Sequence, residues 1–320
     1  MIKASRCLRR VAGLACLWLL LCGLSGCGKT PTASASDAVG CVWKVTHPNS
    51  RGVLWICGSI HVLRSQDWPL APAYDEAYRQ STQLTFELPA GAAEGPGMAQ
   101  SLQRLGFVAA DQPLLQKRLS PGVWQQLQQW CQRRGQDIEG YARMRPWLVA
   151  LMVANGEYAA LGAKAALGVE QHFEQRAKAD GKPMEGLESV EFQLGLFTEL
   201  SKAEEEELLA QSLSEAASAA EQFSDMLRFW KSGDLKGLHA LIHREAQEHP
   251  KLFDRLIVQR NRRWATQLME PLMQGKTTMV LVGAGHMGGE PDGLLALLRA
   301  GGCQMQALRV PSPKFGVATP

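Results

Sequence analysis

Two histidines each follow a glycine by three residues, in Gly58-Ser59-Ile60-His61 near the start of the chain and Gly283-Ala284-Gly285-His286 near its end. Glu87 closes a third short pattern, the alternating run Leu84-Thr85-Phe86-Glu87-Leu88. Imidazole and carboxylate are the side chains from which proteins build general bases and sites for divalent ions. Two histidines and an acid brought together would either activate a water directly or hold an ion that lowers its pKa and polarises a carbonyl. Residue chemistry alone leaves both routes open, and it suits zinc as well as other divalent ions.

The flanking segments say how these groups would meet. Residues 53–57 and 277–282 are apolar runs rich in β-branched residues, the pattern of buried strands. Gly58 and Gly283, just past them, permit a tight turn and close backbone approach. Each histidine then lies at the carboxyl end of a strand, where open α/β sheets place their ligands. Two such histidines more than 200 residues apart predict strand ends that meet in space and face Glu87.

Around them, residues 41–46 and 53–58 read as a hairpin across the turn-rich segment 47–52. A helix over 74–80 and a strand over 84–88 complete a strand–helix–strand unit. Ser120-Pro121 marks a helix start, and further helices are expected over 147–161 and 169–179. A short strand over 182–187 leads into Glu188, with Gln193 on the next helix. Ser201-Lys202-Ala203-Glu204 is a capping box, and Glu204 to Glu207 reads as a solvated face. Helical periodicity continues to about residue 274, broken at Gly233-Asp234. A helix over 291–300 and a strand over 304–309 follow the second histidine motif.

These fragments resemble, in order, the TraB/GumN-like family, which includes the animal Tiki proteases. Trp43-Lys44-Val45, the first glycine–histidine motif and Phe86-Glu87-Leu88 resemble its opening. Gly186-Leu187-Glu188 with Gln193-Leu194, Arg260-Asn261 with Trp264, and the second histidine motif with Asp292-Gly293-Leu294-Leu295 resemble its later marks. The likeness runs from about residue 41 to 309. It implies one α/β domain over 40–310, with a central mixed sheet taking strands from both chain ends and a long helical insertion. Erythromycin-esterase-type and ChaN-like proteins resemble it more distantly.

The resemblance also implies metal-dependent peptide-bond hydrolysis with manganese or cobalt. His61, His286 and Glu87 would hold the ion or an activated water, and Arg260 and Asn261 would position substrate. Gly58 and Gly283 would be structural. Glu188 and Gln193 would orient the site from behind; the plain reading of Glu188 is a carboxylate favouring exposed amides at a helix N-terminus. A histidine base working without metal, on an ester, stays open. The rival from another class is a non-catalytic envelope protein that binds a peptide, a glycan or a signal.

The first 26 residues read as a signal peptide: a basic start, then an apolar stretch over 11–21 too short for a comfortable membrane span. Leu24-Ser25-Gly26-Cys27 resembles the bacterial lipobox, so Cys27 would carry lipid (palmitate among its acyl chains) and tie the protein to a membrane. Gly28 after it favours, by resemblance to lipoprotein sorting, the outer membrane, facing the periplasm. Simple secretion with cleavage nearby is the alternative. Residues 27–39 read as a flexible tether and 311–320 as a disordered tail.

The formal charge of +3 misleads. Without Lys3, Arg6, Arg9 and Arg10 of the leader, the 34 basic residues fall to 30 against 31 acidic ones. That balance gives no charge bias toward nucleic acid, and Arg262 and Arg263 read as surface residues. Neither nucleotide motif holds. The P-loop match over 23–30 runs into a Pro/Ser/Ala linker instead of a helix, and the Gly283-x-Gly285-x-x-Gly288 match is followed by Gly289-Glu290-Pro291, which delays the helix it needs. His239 and His243 lie four apart but lack the adjacent Glu of a zinc-protease helix, so they read as surface residues. Cys41, Cys57, Cys131 and Cys303 remain after the leader. A bridge between Cys41 and Cys57 across the hairpin and four buried thiols are both open.

Overall fold

The computed structural model describes residues 39–248 and 250–310, with the side chains of 242–248 left out. The signal peptide, Cys27, nearly all of the tether, the P-loop match and the tail lie outside the described residues, as do the side chains of His243, Glu245 and Glu248 and all of His249.

Six strands form one mixed sheet in the order β4-β3-β5-β2-β1-β6. They are β1 (Val42–Thr46), β2 (Val53–Ser59), β3 (Gln83–Phe86), β4 (Met184–Gly186), β5 (Thr277–Gly283) and β6 (Gln304–Ala307). β1 and β2 make the expected hairpin, antiparallel with Val42 opposite Cys57. β2 and β5 run parallel at the centre, Val53 opposite Thr277 through Ser59 opposite Gly283. β3 pairs parallel with both β5 and β4, and β6 closes the far edge against β1. β2 and β5 are buried from their second residue on, as continuous apolar strands covered on both faces must be. Strands from both chain ends thus meet side by side, the α/β arrangement expected.

Helix α1 (Pro72–Gln80) links β2 to β3. Between β3 and β4 lie α2 (Pro96–Gly106), α3 (Pro121–Arg134), α4 (Pro146–Ala160) and α5 (Val169–Ala179). Each of α1 to α4 carries Pro in its first turn, where no N–H is required. Between β4 and β5 come α6 (Val190–Thr198), α7 (Lys202–Glu215), α8 (Ala219–Ser232) and α9 (Leu235–Glu248). A turn at Pro250–Phe253 and a π-helical segment at Asp254–Val258 then lead into α10 (Gln259–Met273), and α11 (Leu294–Ala300) follows β5. Apolar burial divides in two. One cluster packs the sheet against Tyr74, Tyr78, Phe173, Phe223, Trp230 and Trp264. The other gathers Trp130, Trp147, Leu194, Phe197 and Leu209 inside the helical insertion. Among the described residues, no helix is long and apolar enough to cross a membrane.

Several local expectations need correction. Gly58 lies inside β2, not in a turn, and a Cβ there would sit 2.5 Å from Met287 Sδ and 3.0 Å from Cys41 Cβ. Close packing, not backbone freedom, calls for glycine. Gly283 has φ −49°, open to any residue. Helix α11 starts at Leu294, three residues later than expected, after a run in which Gly289 takes φ +99°. Glu205 does not share the solvated face of its neighbours. It is buried and paired with Arg145, which a glutamate run read in isolation conceals. Ser201 and Glu204 do form the capping box. Cys41, Cys57, Cys131 and Cys303 are all free and buried.

Candidate functional site

The parallel strands β2, β5, β3 and β4 deliver His61, His286, Glu87 and Glu188 to the same sheet edge, each within three residues of its strand's carboxyl end. Glu87 and Glu188 are adjacent, since the Glu188 N–H donates to the Glu87 carbonyl, 2.9 Å. Helix α10 faces them with Arg260, Asn261 and Trp264 on one side, consistent with a spacing of three and four residues.

Arg260 is the hub and is 3% exposed. Its Nε donates to Glu188 at 3.0 Å. Nη2 donates to Glu87 Oε2 at 2.6 Å and stands 2.9 Å from Glu188 Oε2. Nη1 donates to the Leu256 carbonyl and faces His286 Nε2, each at 3.2 Å. Those contacts engage all three guanidinium nitrogens. The Leu256 carbonyl belongs to the π-helical segment, a distortion common at functional sites.

Asn261 fixes the state of His286. Its amide Nδ2 donates to the carbonyls of His286 (3.1 Å) and Asp292 (2.8 Å), which leaves Oδ1 as acceptor. Oδ1 lies 2.6 Å from His286 Nδ1, so the network assigns the proton to Nδ1 and the lone pair to Nε2, facing Arg260. His286 is fully buried, packed 4.3 Å from the Trp264 ring. Burial first and the Arg260 charge second hold its pKa well below the ordinary imidazole value, so it is neutral.

Glu87 is 7% exposed. Oε1 accepts the Gly283 N–H at 2.7 Å, and Oε2 accepts from Arg260 and, at 3.2 Å, from Gln193 Nε2. Burial alone would raise its pKa. The Arg260 charge first, with the Gly283 bond adding to it, outweighs burial, and the carboxyl is held below its usual range. Glu188 accepts from Arg260, from Trp264 Nε1 at 3.0 Å and from Gln193 at 3.4 Å. It therefore stands behind Arg260 in the network rather than at a helix end alone.

His61 stands apart, on a cavity of about 70 Å³ that Glu87 also lines. Its Nδ1 lies 2.6 Å from Glu170 Oε1, an ion-pair contact at an oblique angle rather than an aligned hydrogen bond. Ser59 Oγ donates to the same Glu170 oxygen. Burial pushes the His61 pKa down, but Glu170 and Glu87 outweigh it and the net shift is upward. Helix α5 brings Glu170 there: the Val169 N–H donates to the Ile60 carbonyl, and a Cβ on Gly168 would lie 2.2 Å from the His61 carbonyl oxygen. Only glycine lets the helix start so close to the histidine.

The structure thus joins Glu87, Glu188, Gln193, Arg260, Asn261 and His286 in one network and sets His61 beside it. Glu170 is the partner that sequence reasoning missed. At the second position of a helix, a glutamate reads as a dipole-stabilising residue, and nothing in the pattern points to His61. His239 lies by Gly289. Arg262 pairs with Asp292 at the exposed surface, and Arg263 lies over the Phe192 ring.

The three expected metal ligands do not converge on one point. The His286 lone pair meets the Arg260 guanidinium, and Arg260 and Gly283 also occupy the Glu87 oxygens. An ion held by both residues and by His61 would have to displace that cation, so the donor set as arranged does not fit one. Among the described residues, no group of three or more His, Cys, Asp and Glu is placed to hold a metal.

Comparison with known proteins adds one match: the TraB/PrgY/gumN family model covers residues 41–307. No curated protein and no solved structure matches the chain.

Proposed function

The chain belongs to the TraB/PrgY/gumN family, and from that premise we propose that it is a hydrolase of amide or ester bonds whose base is His61. One observation carries this reading: the imidazole is paired at Nδ1 with Glu170, while Nε2 has no described partner and lines a cavity shared with an ionised carboxylate, Glu87. A His–carboxylate pair of this kind orients the ring and stabilises the imidazolium that forms on proton transfer. Water in the cavity would attack the acyl carbon. His61 Nε2 takes its proton and returns it to the leaving nitrogen or oxygen as the acyl bond breaks. Glu87 holds the water from the other side, and Arg260 keeps Glu87 ionised.

Arg260, Asn261 and His286 then position the wall of the site, since their polar atoms are spent on each other. The same saturation favours a second reading, a non-catalytic binding protein in which the network is a rigid frame. His61→Ala and Glu87→Gln variants of residues 28–320, assayed on a panel of peptide and ester substrates, separate the two. Loss of turnover in both supports the hydrolase; a panel untouched by wild type and variants alike supports the binder. Metal content is read on the same samples. One stoichiometric manganese, cobalt or zinc ion, lost in His61→Ala and in His286→Ala, would replace the metal-free route with an ion-assisted one. The leader sequence supports placing this activity in the cell envelope, on a lipid anchor at Cys27.

A further inference from the structure

We propose that the cavity takes substrates carrying a free ammonium group beside the bond to be cut, as at the amino end of a peptide. This rests on His61 and Glu87 forming the reactive wall. The lining holds four glutamates, Glu87, Glu94, Glu170 and Glu174, one histidine, and no lysine or arginine. One of the four is already balanced, Glu87 by Arg260, and Glu170 lies against the His61 ring, which carries no charge while it serves as the base. Glu94 and Glu174 have no basic partner within the lining, and Lys178, whose charge acts on Glu174, stands outside it. Glu174 Oε1 accepts the Gly91 N–H at 2.7 Å, a neutral donor that fixes the carboxylate without cancelling its charge.

Two further observations show that the cavity expects a donor. The His61 side chain is 10% exposed, and its Nε2 meets no described partner. Glu170 Oε2 is buried with none either. A buried oxygen left without a donor costs stability unless water or a ligand supplies one. An ammonium offers three donors and the matching charge, whereas a carboxylate or phosphate would be repelled by the glutamates. About 70 Å³ admits a small head group and a few atoms beyond it. His61 and Glu87 line the same cavity as the glutamates that would hold the ammonium, so the cut falls near the charged end.

The test uses matched fluorogenic aminoacyl amides, one with a free α-amino group and one N-acetylated, on wild type and Glu174→Gln. The free-amine substrate should show a kcat/KM about tenfold higher, carried mainly by KM, as one charge-assisted hydrogen bond predicts. Glu174→Gln should bring that ratio toward one. Equal or faster cleavage of the acetylated twin overturns the proposal and leaves the hydrolase standing. Calorimetry of a non-fluorogenic amino-acid amide binding to wild type and Glu174→Gln covers the remaining case. Binding that weakens in the variant, with no turnover of either substrate, keeps ammonium recognition and sinks the hydrolase. Neither binding nor turnover sinks both.

Discussion

Glu170 Oε1 approaches His61 Nδ1 to 2.6 Å although the two are more than 100 residues apart in sequence and on different elements. Glu170 is what lifts the His61 pKa against the effect of burial. In Glu170→Gln the charge goes and the desolvation stays, so the His61 pKa should fall below the ordinary imidazole value. Histidine NMR titration of wild type and variant reads this directly. An unmoved His61 resonance would show that the contact does not set its ionisation.

Removing the charge at Arg260 should be costly. Arg260→Met leaves Glu87 and Glu188 buried together without their cation and strips the donor from His286 Nε2. Breaking a buried pair from one side typically costs about 3–5 kcal/mol, so urea denaturation should show a loss of that order. Arg260→Lys should recover only part of it, because an ammonium cannot span both carboxylates, the Leu256 carbonyl and the imidazole at once. Full recovery with lysine would mean that charge alone, not the fork geometry, holds the site.

The two histidines tie stability to pH with opposite signs. His286 has a depressed pKa, so the unfolded chain binds the proton more readily; its effect is a loss of stability as pH falls below about 6.5, toward the folded value. His61 has a raised pKa, so its contribution is complete below about 6.5 and is lost as pH rises through the folded value. Denaturation midpoints across roughly pH 5 to 8 should therefore fall less steeply on the alkaline side in Glu170→Gln than in wild type. Across the same range His286 should keep the NMR signature of a neutral Nδ1–H ring. A charged ring there would contradict the assigned network.

Cys27→Ser should release the protein from the membrane fraction or leave it misprocessed, read by fractionation and acyl labelling. Unchanged membrane attachment and labelling in the variant would remove the lipid anchor from the proposal.

The sheet was legible in the sequence because its central strands announce themselves. Residues 53–57 and 277–282 are apolar without alternation, as strands buried on both faces must be. The edge where the polar groups gather was legible too, through the two histidine motifs and the family marks around Glu87, Glu188 and Arg260. What did not follow was which group faces which. The β2–β5 ladder pairs Ser59 with Gly283, so the two motifs are one residue out of register. A three-ten turn then carries His286, but not His61, inward. Identical spacing therefore yields one buried neutral ring and one ring on a cavity. Glu170 and Glu205 escaped for a related reason: a glutamate near a helix start looks the same in sequence whether it meets water, a histidine or a buried arginine.

The saturation of Arg260 has a consequence for how solutes approach. A guanidinium whose three nitrogens are all engaged, between two carboxylates, projects little attraction beyond the pocket wall. The charges left at the cavity lining are then those of Glu94 and Glu174, offset in part by Lys178 beside Glu174, and they favour cations. Ions in the medium screen such exposed charges over about 8–10 Å at near-physiological strength while barely touching interior pairs. Raising the salt should therefore slow the capture of positively charged partners and leave the folded stability of the hub nearly unchanged.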